Sequence, residues 1–131
     1  MEINDVTAMI VDCAYHIHND IGPGLFESVY ELILSDMLAD RGLLVQRQMA
    51  IPIRIGDKVY DEGFRADLVV DGRVIVEIKS IERLSRVHKK QVLTYLKLSG
   101  LPVGLLVNFG GDLLKGNIER LVIPHAPNLK A

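Results

Sequence analysis

An aspartate, a glutamate and a lysine lie on two neighbouring predicted strands of this sequence. The segments on either side of Asp71-Gly72 have the residue types of β-strands, and that dipeptide is a strong signal for a hairpin. Asp67 belongs to the first strand, whereas Glu77 and Lys79 belong to the second. Because side chains in a strand alternate between its two faces, Glu77 and Lys79 point the same way. The sequence therefore predicts an acidic centre formed by Asp67, Glu77 and Lys79.

The chemistry that such a centre supports is metal-assisted hydrolysis at phosphorus. Two carboxylates at close range repel each other, so the pair either shares a proton or holds a cation. Oxygen ligands of this kind suit Mg²⁺ or Mn²⁺, and we expect Asp67, Glu77 and the backbone carbonyl of Ile78 to supply them. Lys79 can hold a phosphate oxygen or orient the attacking water, while the metal activates that water and offsets the charge that builds on phosphorus.

The register of the hairpin decides whether Asp67 and Glu77 share a face. A two-residue turn pairs Asp67 with Val76 and leaves Glu77 on the face opposite to that of Asp67. A shift of one residue in register moves every side chain of a strand to the other face of the sheet. A three-residue loop with Gly72 in the left-handed conformation, forming a bulge, changes this parity. Asp67 then pairs with Ile75 and lies diagonal to Glu77 on the same face. The metal site therefore requires a bulged hairpin or a local distortion of the strand near Asp67.

Apolar spacing and turn residues indicate the elements that position this centre. Two helices come first, then three strands, a third helix and two further strands, over about 5–19, 25–41, 43–55, 59–70, 73–80, 84–99, 103–109 and 118–123. The second helix is expected to bury Val29, Leu32, Ile33, Met37 and Leu38. A helix that crosses between the third and fourth strands predicts an α/β (α+β) fold of order ααβββαββ, a mixed sheet flanked by helices.

Composition indicates a single domain over residues 1–131, because nearly half of the 131 residues are hydrophobic and one core can be built. No apolar stretch is long enough to span a bilayer, and the N-terminus has no basic region or cleavage site, so we expect a cytoplasmic protein. The lone cysteine, Cys13, excludes an internal disulfide and any multi-cysteine metal site.

The net charge of −2 argues against binding nucleic acid by bulk electrostatics, although it leaves room for a small enzyme with a local basic patch. Residues 82–90 are such a patch and directly follow the second strand of the acidic centre. Charge runs of this kind are usually a solvated helix face. The alternative is that they contact a phosphate backbone through Arg83, Arg86, His88, Lys89 and Lys90.

Four motifs follow one another in the order of a known family. They are Gly24-Leu25-Phe26-Glu27-Ser28-Val29-Tyr30, which has the form G-x-x-E-x-x-Y, then Phe64-Arg65-Ala66-Asp67, Glu77-Ile78-Lys79 and Gln91-Val92-Leu93-Thr94-Tyr95. Together they resemble the GxxExxY family, a small bacterial and archaeal branch of the PD-(D/E)XK nuclease superfamily, over about residues 5–123. Ala66 stands where that superfamily usually has proline, at a position that many members vary.

The resemblance implies a restriction-endonuclease-like fold and metal-dependent cleavage of phosphodiester bonds. It also implies that Asp67 and Glu77 hold the metal, that Lys79 assists the water, and that further site residues are Glu27, Gln91 and Tyr95. The residues themselves leave plainer alternatives open. Glu27 suits the first turn of a helix because of the helix dipole. Tyr30 suits packing with a tethered hydroxyl, and Gln91 and Tyr95 suit the boundary of an amphipathic helix.

Three functions compete on this sequence. The first is a Mg²⁺-dependent nuclease acting on DNA or RNA, with DNA preferred as substrate and a homodimer or a larger DNA-processing complex as the working form. The second is an accessory or nucleic-acid-binding module that keeps the fold without the chemistry. The third is a glycosidase with two carboxylates, which Lys79 beside Glu77 and the lack of tryptophan disfavour.

Overall fold

The computed structural model describes residues 1–123. In this range three helices and five strands follow the predicted order: α1 (Ile3–Ile21), α2 (Glu27–Asp40), β1 (Val45–Ile55), β2 (Lys58–Val70), β3 (Val74–Lys79), α3 (Arg86–Ser99), β4 (Val103–Asn108) and β5 (Ile118–Val122). The α+β pattern is that of a restriction-endonuclease-like fold, which confirms the predicted fold class. Within residues 1–123 no helix has the length and apolarity needed to cross a membrane.

The five strands form one mixed sheet in the order β1-β2-β3-β4-β5. Only β3 and β4 run parallel, and α3 makes the crossover that parallel neighbours require. Helices α1 and α2 pack on one face of the sheet and α3 packs on the other. Because β3 and β4 are covered on both faces, their sequences are almost continuously apolar. An acidic side chain on β3 is therefore buried by the architecture itself.

Helix α2 buries a narrower face than the sequence predicts. Tyr30, Leu34 and Leu38 are buried at the four-residue spacing of one helical face. Of the five predicted apolar contacts, Leu38 is buried and two others are partly buried, whereas Val29 and Leu32 are exposed. That part of the prediction is wrong because these two residues lie to the side of the Tyr30–Leu38 stripe that meets the core.

The β2–β3 hairpin has the three-residue loop that the metal site requires. Val70 pairs with Val74, so Asp71, Gly72 and Arg73 form the loop between them. Asp71 has φ 56° and Gly72 has φ 68°, both in the left-handed region that glycine and aspartate tolerate best. The predicted left-handed Gly72 and the change of parity are therefore confirmed.

The finer pairing predicted for this hairpin is wrong by two residues. Ile75 pairs with Val69 and not with Asp67, and Leu68 forms the last ladder pair of β2 with β3. The same register, continued by one residue, places Asp67 directly opposite Glu77. The two acids therefore face each other across the strands instead of lying on a diagonal.

Tyr30, the tyrosine of the G-x-x-E-x-x-Y motif, ties the α1–α2 loop to the core. Its hydroxyl donates to the carbonyl oxygen of Gly22 at 2.6 Å and accepts from the backbone nitrogen of Leu25 at 3.2 Å. Its ring is fully buried and stacks on Phe109, with 4.4 Å between ring centroids. The packing role with a tethered hydroxyl accounts for all of these contacts.

Removing only this hydroxyl tests the role of Tyr30. We expect Tyr30→Phe to keep the stacked ring but to lower the free energy of unfolding by about 1–2 kcal/mol, because the Leu25 amide and the Gly22 carbonyl lose a partner. Urea unfolding measures the change, and Tyr15→Phe on the exposed side of α1 is the matched control. Equal stability of the two variants would contradict this role.

Candidate metal centre

Strand β3 presents Glu77 and Lys79 to the layer that α3 covers, on the same face as the buried Ile75. Glu77 is only 6% exposed, whereas Lys79 at the strand end is partly buried. The carboxyl group of Glu77 is thus placed in a poorly solvated position by its neighbours in the strand. The ammonium group beside it lies nearer the solvent.

Hydrogen bonds hold both oxygens of the Asp67 carboxylate. Oδ2 accepts from the backbone nitrogen of Ile78 at 2.8 Å, and Oδ1 accepts from the side-chain nitrogen of Gln48 at 3.2 Å. The hydrogen bond from Ile78 takes the place of a backbone hydrogen bond between β2 and β3, next to Leu68, where the regular pairing of these strands ends. Asp67 is therefore fixed against the strand that carries Glu77.

Strand β2 also changes face at Asp67. Leu68 packs in the cluster beneath α1 and α2, while Ala66, two residues earlier, packs in the cluster beneath α3. A regular strand would place residues two apart on the same face. The sequence required either a bulged hairpin or a local distortion near Asp67, and the structure has the three-residue loop together with the distortion.

The environment of Glu77 strongly disfavours its ionised form. Burial, followed by the charge of Asp67 and the hydrogen bond shared with it, raises the pKa of Glu77 to about 9, against a smaller lowering by Lys79. Its Oε1 atom is buried and has no hydrogen-bond partner among the described residues. An unpartnered buried acceptor is costly, and a hard divalent cation between two carboxylates satisfies it. The residues therefore fit Mg²⁺ or Mn²⁺.

Of the two residues predicted on α3, Tyr95 lies close to the acidic pair. Burial and then the charges of Glu77 and Asp67 raise the pKa of its hydroxyl. The Tyr95 ring stacks on Phe64 of β2, with 3.9 Å between ring centroids and 5° between ring planes. Gln91 lies one helical turn earlier on α3 and is exposed.

Glu27 is exposed at the first position of α2 and lines a groove with Ser80 and Ile81, just beyond the end of β3. Within residues 1–123 no three acidic, histidine or cysteine side chains come together as a metal cluster. The structure thus brings Asp67 and Glu77 together as a pair without a third acid. A role for Glu27 at the metal stays a prediction.

The basic segment is only partly free to meet a substrate. Lys89 forms an ion pair with Glu119 of β5 at 3.1 Å. His88 accepts a hydrogen bond from the backbone nitrogen of Ser85 and so caps α3, which is the ordinary role for a surface histidine. The other three basic side chains are exposed, namely Arg83, Arg86 and Lys90.

The buried Asn108 fixes the backbone that follows Lys79, and nothing in the sequence analysis pointed to it. Its side-chain oxygen accepts from the nitrogens of Ile81 and Gly110, and its side-chain nitrogen donates to the Ile81 carbonyl, each at 3.0 Å. The Phe109 nitrogen donates to the Lys79 carbonyl at 2.8 Å. These bonds lock the end of β3, from which Lys79 extends.

The structure adds Glu31 and Gln48 to the surroundings of Asp67. Glu31 is 3% exposed, and its Oε1 accepts from the Gln48 side chain at 2.6 Å. A signal for Glu31 was available, since it lies in helical spacing with Leu34 on the buried face of α2. Gln48 gives no such signal, because its side chain is exposed like that of an ordinary strand glutamine.

Comparison with known proteins gives one match. A family model described as the PD-(D/E)XK nuclease superfamily matches residues 4–121. No curated protein and no solved structure matches the chain significantly. The matched range contains both acids of the centre together with α2 and α3. It does not distinguish the GxxExxY branch, which stays a prediction.

The raised pKa of Glu77 makes stability depend on pH in a defined direction. Without metal, the folded chain keeps the Glu77 proton up to about pH 9, whereas the unfolded chain loses it near 4.5. The folded state then binds more protons, so the free energy of unfolding falls as pH rises from 5 to 8. The glutamine in Glu77→Gln has no titratable proton, so the free energy of unfolding of this variant does not fall for this reason.

We therefore expect the free energy of unfolding of Glu77→Gln, relative to that of the parent chain, to rise by at least about 1 kcal/mol between pH 5 and pH 8. Urea unfolding in EDTA at several pH values measures the difference between the two chains. The control Glu82→Gln changes an exposed glutamate and should follow the parent. Parallel curves for Glu77→Gln and the parent would show that the Glu77 pKa is not raised.

Proposed function

This chain belongs to the PD-(D/E)XK nuclease superfamily, and on that premise we propose that it is a nuclease that hydrolyses phosphodiester bonds in DNA, with Mg²⁺ or Mn²⁺ held by Asp67 and Glu77. The observation that carries the proposal is the buried, unpartnered Oε1 of Glu77 opposite the fixed carboxylate of Asp67. A buried acceptor without a partner, beside a second acid, is the arrangement expected of a cation site, and this supports the proposal.

The roles of the residues follow from their positions. Asp67 and Glu77 supply carboxylate oxygens, and the Ile78 carbonyl is the proposed backbone ligand. The cation, when bound, supplies an activated water and neutralises charge on the phosphoryl group. Lys79 extends from the locked end of β3 and is proposed to hold a phosphate oxygen or to orient the attacking water.

Helix α3 is the proposed side of approach for the substrate. Tyr95 borders the acidic pair, and Gln91 one turn earlier points to solvent on the same helix. Arg83, Arg86 and Lys90 are exposed around the start of the helix and are proposed to contact phosphates. Lys89 and His88 contribute less to this surface, because Glu119 and the cap of the helix already engage them.

The accessory module without chemistry is the competing function, and the small size and net charge of −2 favour it. The net negative charge is also compatible with a nuclease that binds DNA together with a second copy of the chain or as part of a larger DNA-processing complex. We propose the nuclease in preference because an inactive module has no need of an orphaned buried carboxyl oxygen beside a second acid.

Removing either acid tests the chemistry. We expect Asp67→Asn and Glu77→Ala to lower the rate of cleavage of plasmid and single-stranded DNA by at least about a hundredfold, since each removes a cation ligand. The assay uses Mg²⁺ or Mn²⁺, with RNA as a parallel substrate. Asp57→Asn, in the exposed β1–β2 turn, is the matched control and should cleave like the parent. Equal cleavage by Glu77→Ala would refute the assignment.

Cation binding is separable from cleavage. We expect Mn²⁺ to raise the melting temperature of the parent chain, because a ligand that binds only the folded state stabilises it. Asp67→Asn should show no such rise, while Asp57→Asn should keep it. A rise that depends on Asp67, with no cleavage of any DNA or RNA, would support the accessory module instead.

A further inference from the structure

We infer that Gln48 is a positioning residue that fixes the Asp67 carboxylate for cation binding, and that the buried Glu31 anchors Gln48 in place. The inference rests on the proposed function, because it concerns the same metal centre. It assigns Glu31 a task different from that of a cation ligand. The side-chain contacts, the backbone of β1 and the pairing of Glu31 with Arg47 each support it.

The side-chain nitrogen of Gln48 joins two acids from different layers. It donates to Oε1 of Glu31 on α2 at 2.6 Å and to Oδ1 of Asp67 on β2 at 3.2 Å. A side-chain amide carries two N–H donors, so one group serves both acceptors. Gln48 therefore links the helix layer to the carboxylate that faces Glu77.

The backbone of Gln48 takes a left-handed conformation at the residue that forms this link. Its φ is 50°, in a region that residues with a Cβ rarely adopt. Arg47 pairs with Leu68 and Met49 with Ala66, yet Gln48 forms no ladder pair with Asp67 between them. The Gln48 carbonyl instead accepts from Nη1 of Arg65 at 3.0 Å. Strain of this kind persists where function requires it.

Glu31 is engaged at both carboxylate oxygens and its charge is paired. Oε1 accepts from Gln48, and Oε2 accepts from Nε of Arg47 at 3.1 Å, while the side chain is 4% exposed. Arg47 thus neutralises the charge that burial would otherwise make costly. A carboxylate engaged at both oxygens serves as an anchor for its donors.

The consequence for Asp67 is a fixed orientation. The Ile78 nitrogen holds one carboxylate oxygen and Gln48 holds the other, so the plane of the group cannot rotate away from Glu77. Each oxygen keeps a second lone pair for a cation. Groups that orient a ligand in this way raise metal affinity without touching the metal.

The test is Gln48→Gly, which removes the amide but adopts φ 50° without strain. The affinity of the full chain for Mn²⁺ alone, from the resonance of free Mn²⁺, should fall about tenfold. In EDTA the loss of the donor to the buried Glu31 opposes the relief of backbone strain, so the melting temperature should stay close to that of the parent chain. Gln46→Ala, an exposed glutamine two residues earlier in β1, should match the parent in both measurements.

The double variant distinguishes an anchor from a ligand. If Glu31 acts through Gln48, then Glu31→Gln with Gln48→Gly binds Mn²⁺ no more weakly than Gln48→Gly alone. Multiplied losses would identify Glu31 as a direct ligand and overturn the anchor. If Glu31→Gln fails to fold, the comparison of Gln48→Gly with the parent still decides the role of Gln48.

Failure of this inference is distinct from failure of the proposed function. A parent chain whose Mn²⁺ binding does not depend on Asp67 would refute the metal centre itself. A parent that binds Mn²⁺ through Asp67, with Gln48→Gly binding equally well, would refute only the positioning role. Weaker Mn²⁺ binding by Gln48→Gly, with a melting temperature in EDTA close to that of the parent chain, supports it.

Discussion

The site depends on one costly placement, that of a carboxyl group in the middle of a strand covered on both faces. Strand β3 is buried because β3 and β4 form the parallel pair between two helix layers. Glu77 must therefore enter a poorly solvated layer, and its pKa rises to about 9 mainly through that burial. The opposing Asp67 adds repulsion instead of relief. A cation between the two acids removes both penalties at once.

The sheet brings Asp67 opposite Glu77 by breaking its own regularity. The three-residue β2–β3 loop sets the parity, and the regular ladder stops at Leu68. There the Asp67 side chain accepts the hydrogen bond from the Ile78 amide that the backbone of a regular partner strand would have accepted. Ala66 and Leu68 can then pack in opposite layers, so the strand stays apolar on both sides while Asp67 stays at the pair.

The sequence carries more of this arrangement than its turn signal reveals. Asp71-Gly72 is compatible with a two-residue turn and with a three-residue loop, so the dipeptide cannot decide the register. The strands weigh only slightly against the two-residue turn, which would set Val70 against Arg73, because Val69 and Leu68 meet apolar partners in either register. Alternation along β3 was sufficient to place Glu77 and Lys79 on one face.

Other features of the centre have no local signature. The left-handed backbone of Gln48 depends on what lies across the strands and on the helix above, and glutamine shows no preference for it. Asn108 is likewise defined by loops that are distant in sequence, since it bonds Ile81 and Asn117. Exposure of Val29 and Leu32 on α2 follows from the orientation of the helix, which apolar spacing alone does not fix.

The unfavourable features of the molecule are concentrated at one place, and the favourable ones surround it. Gln48 has a strained backbone and Glu77 an unpartnered oxygen, while Tyr30 and Asn108 are fully bonded within the core. A local conformation that costs free energy persists only when its surroundings leave it no alternative. The bonded loops beyond β3 and the anchored α2 supply that constraint, and without a cation the proton that Glu77 keeps limits the repulsion between the two acids.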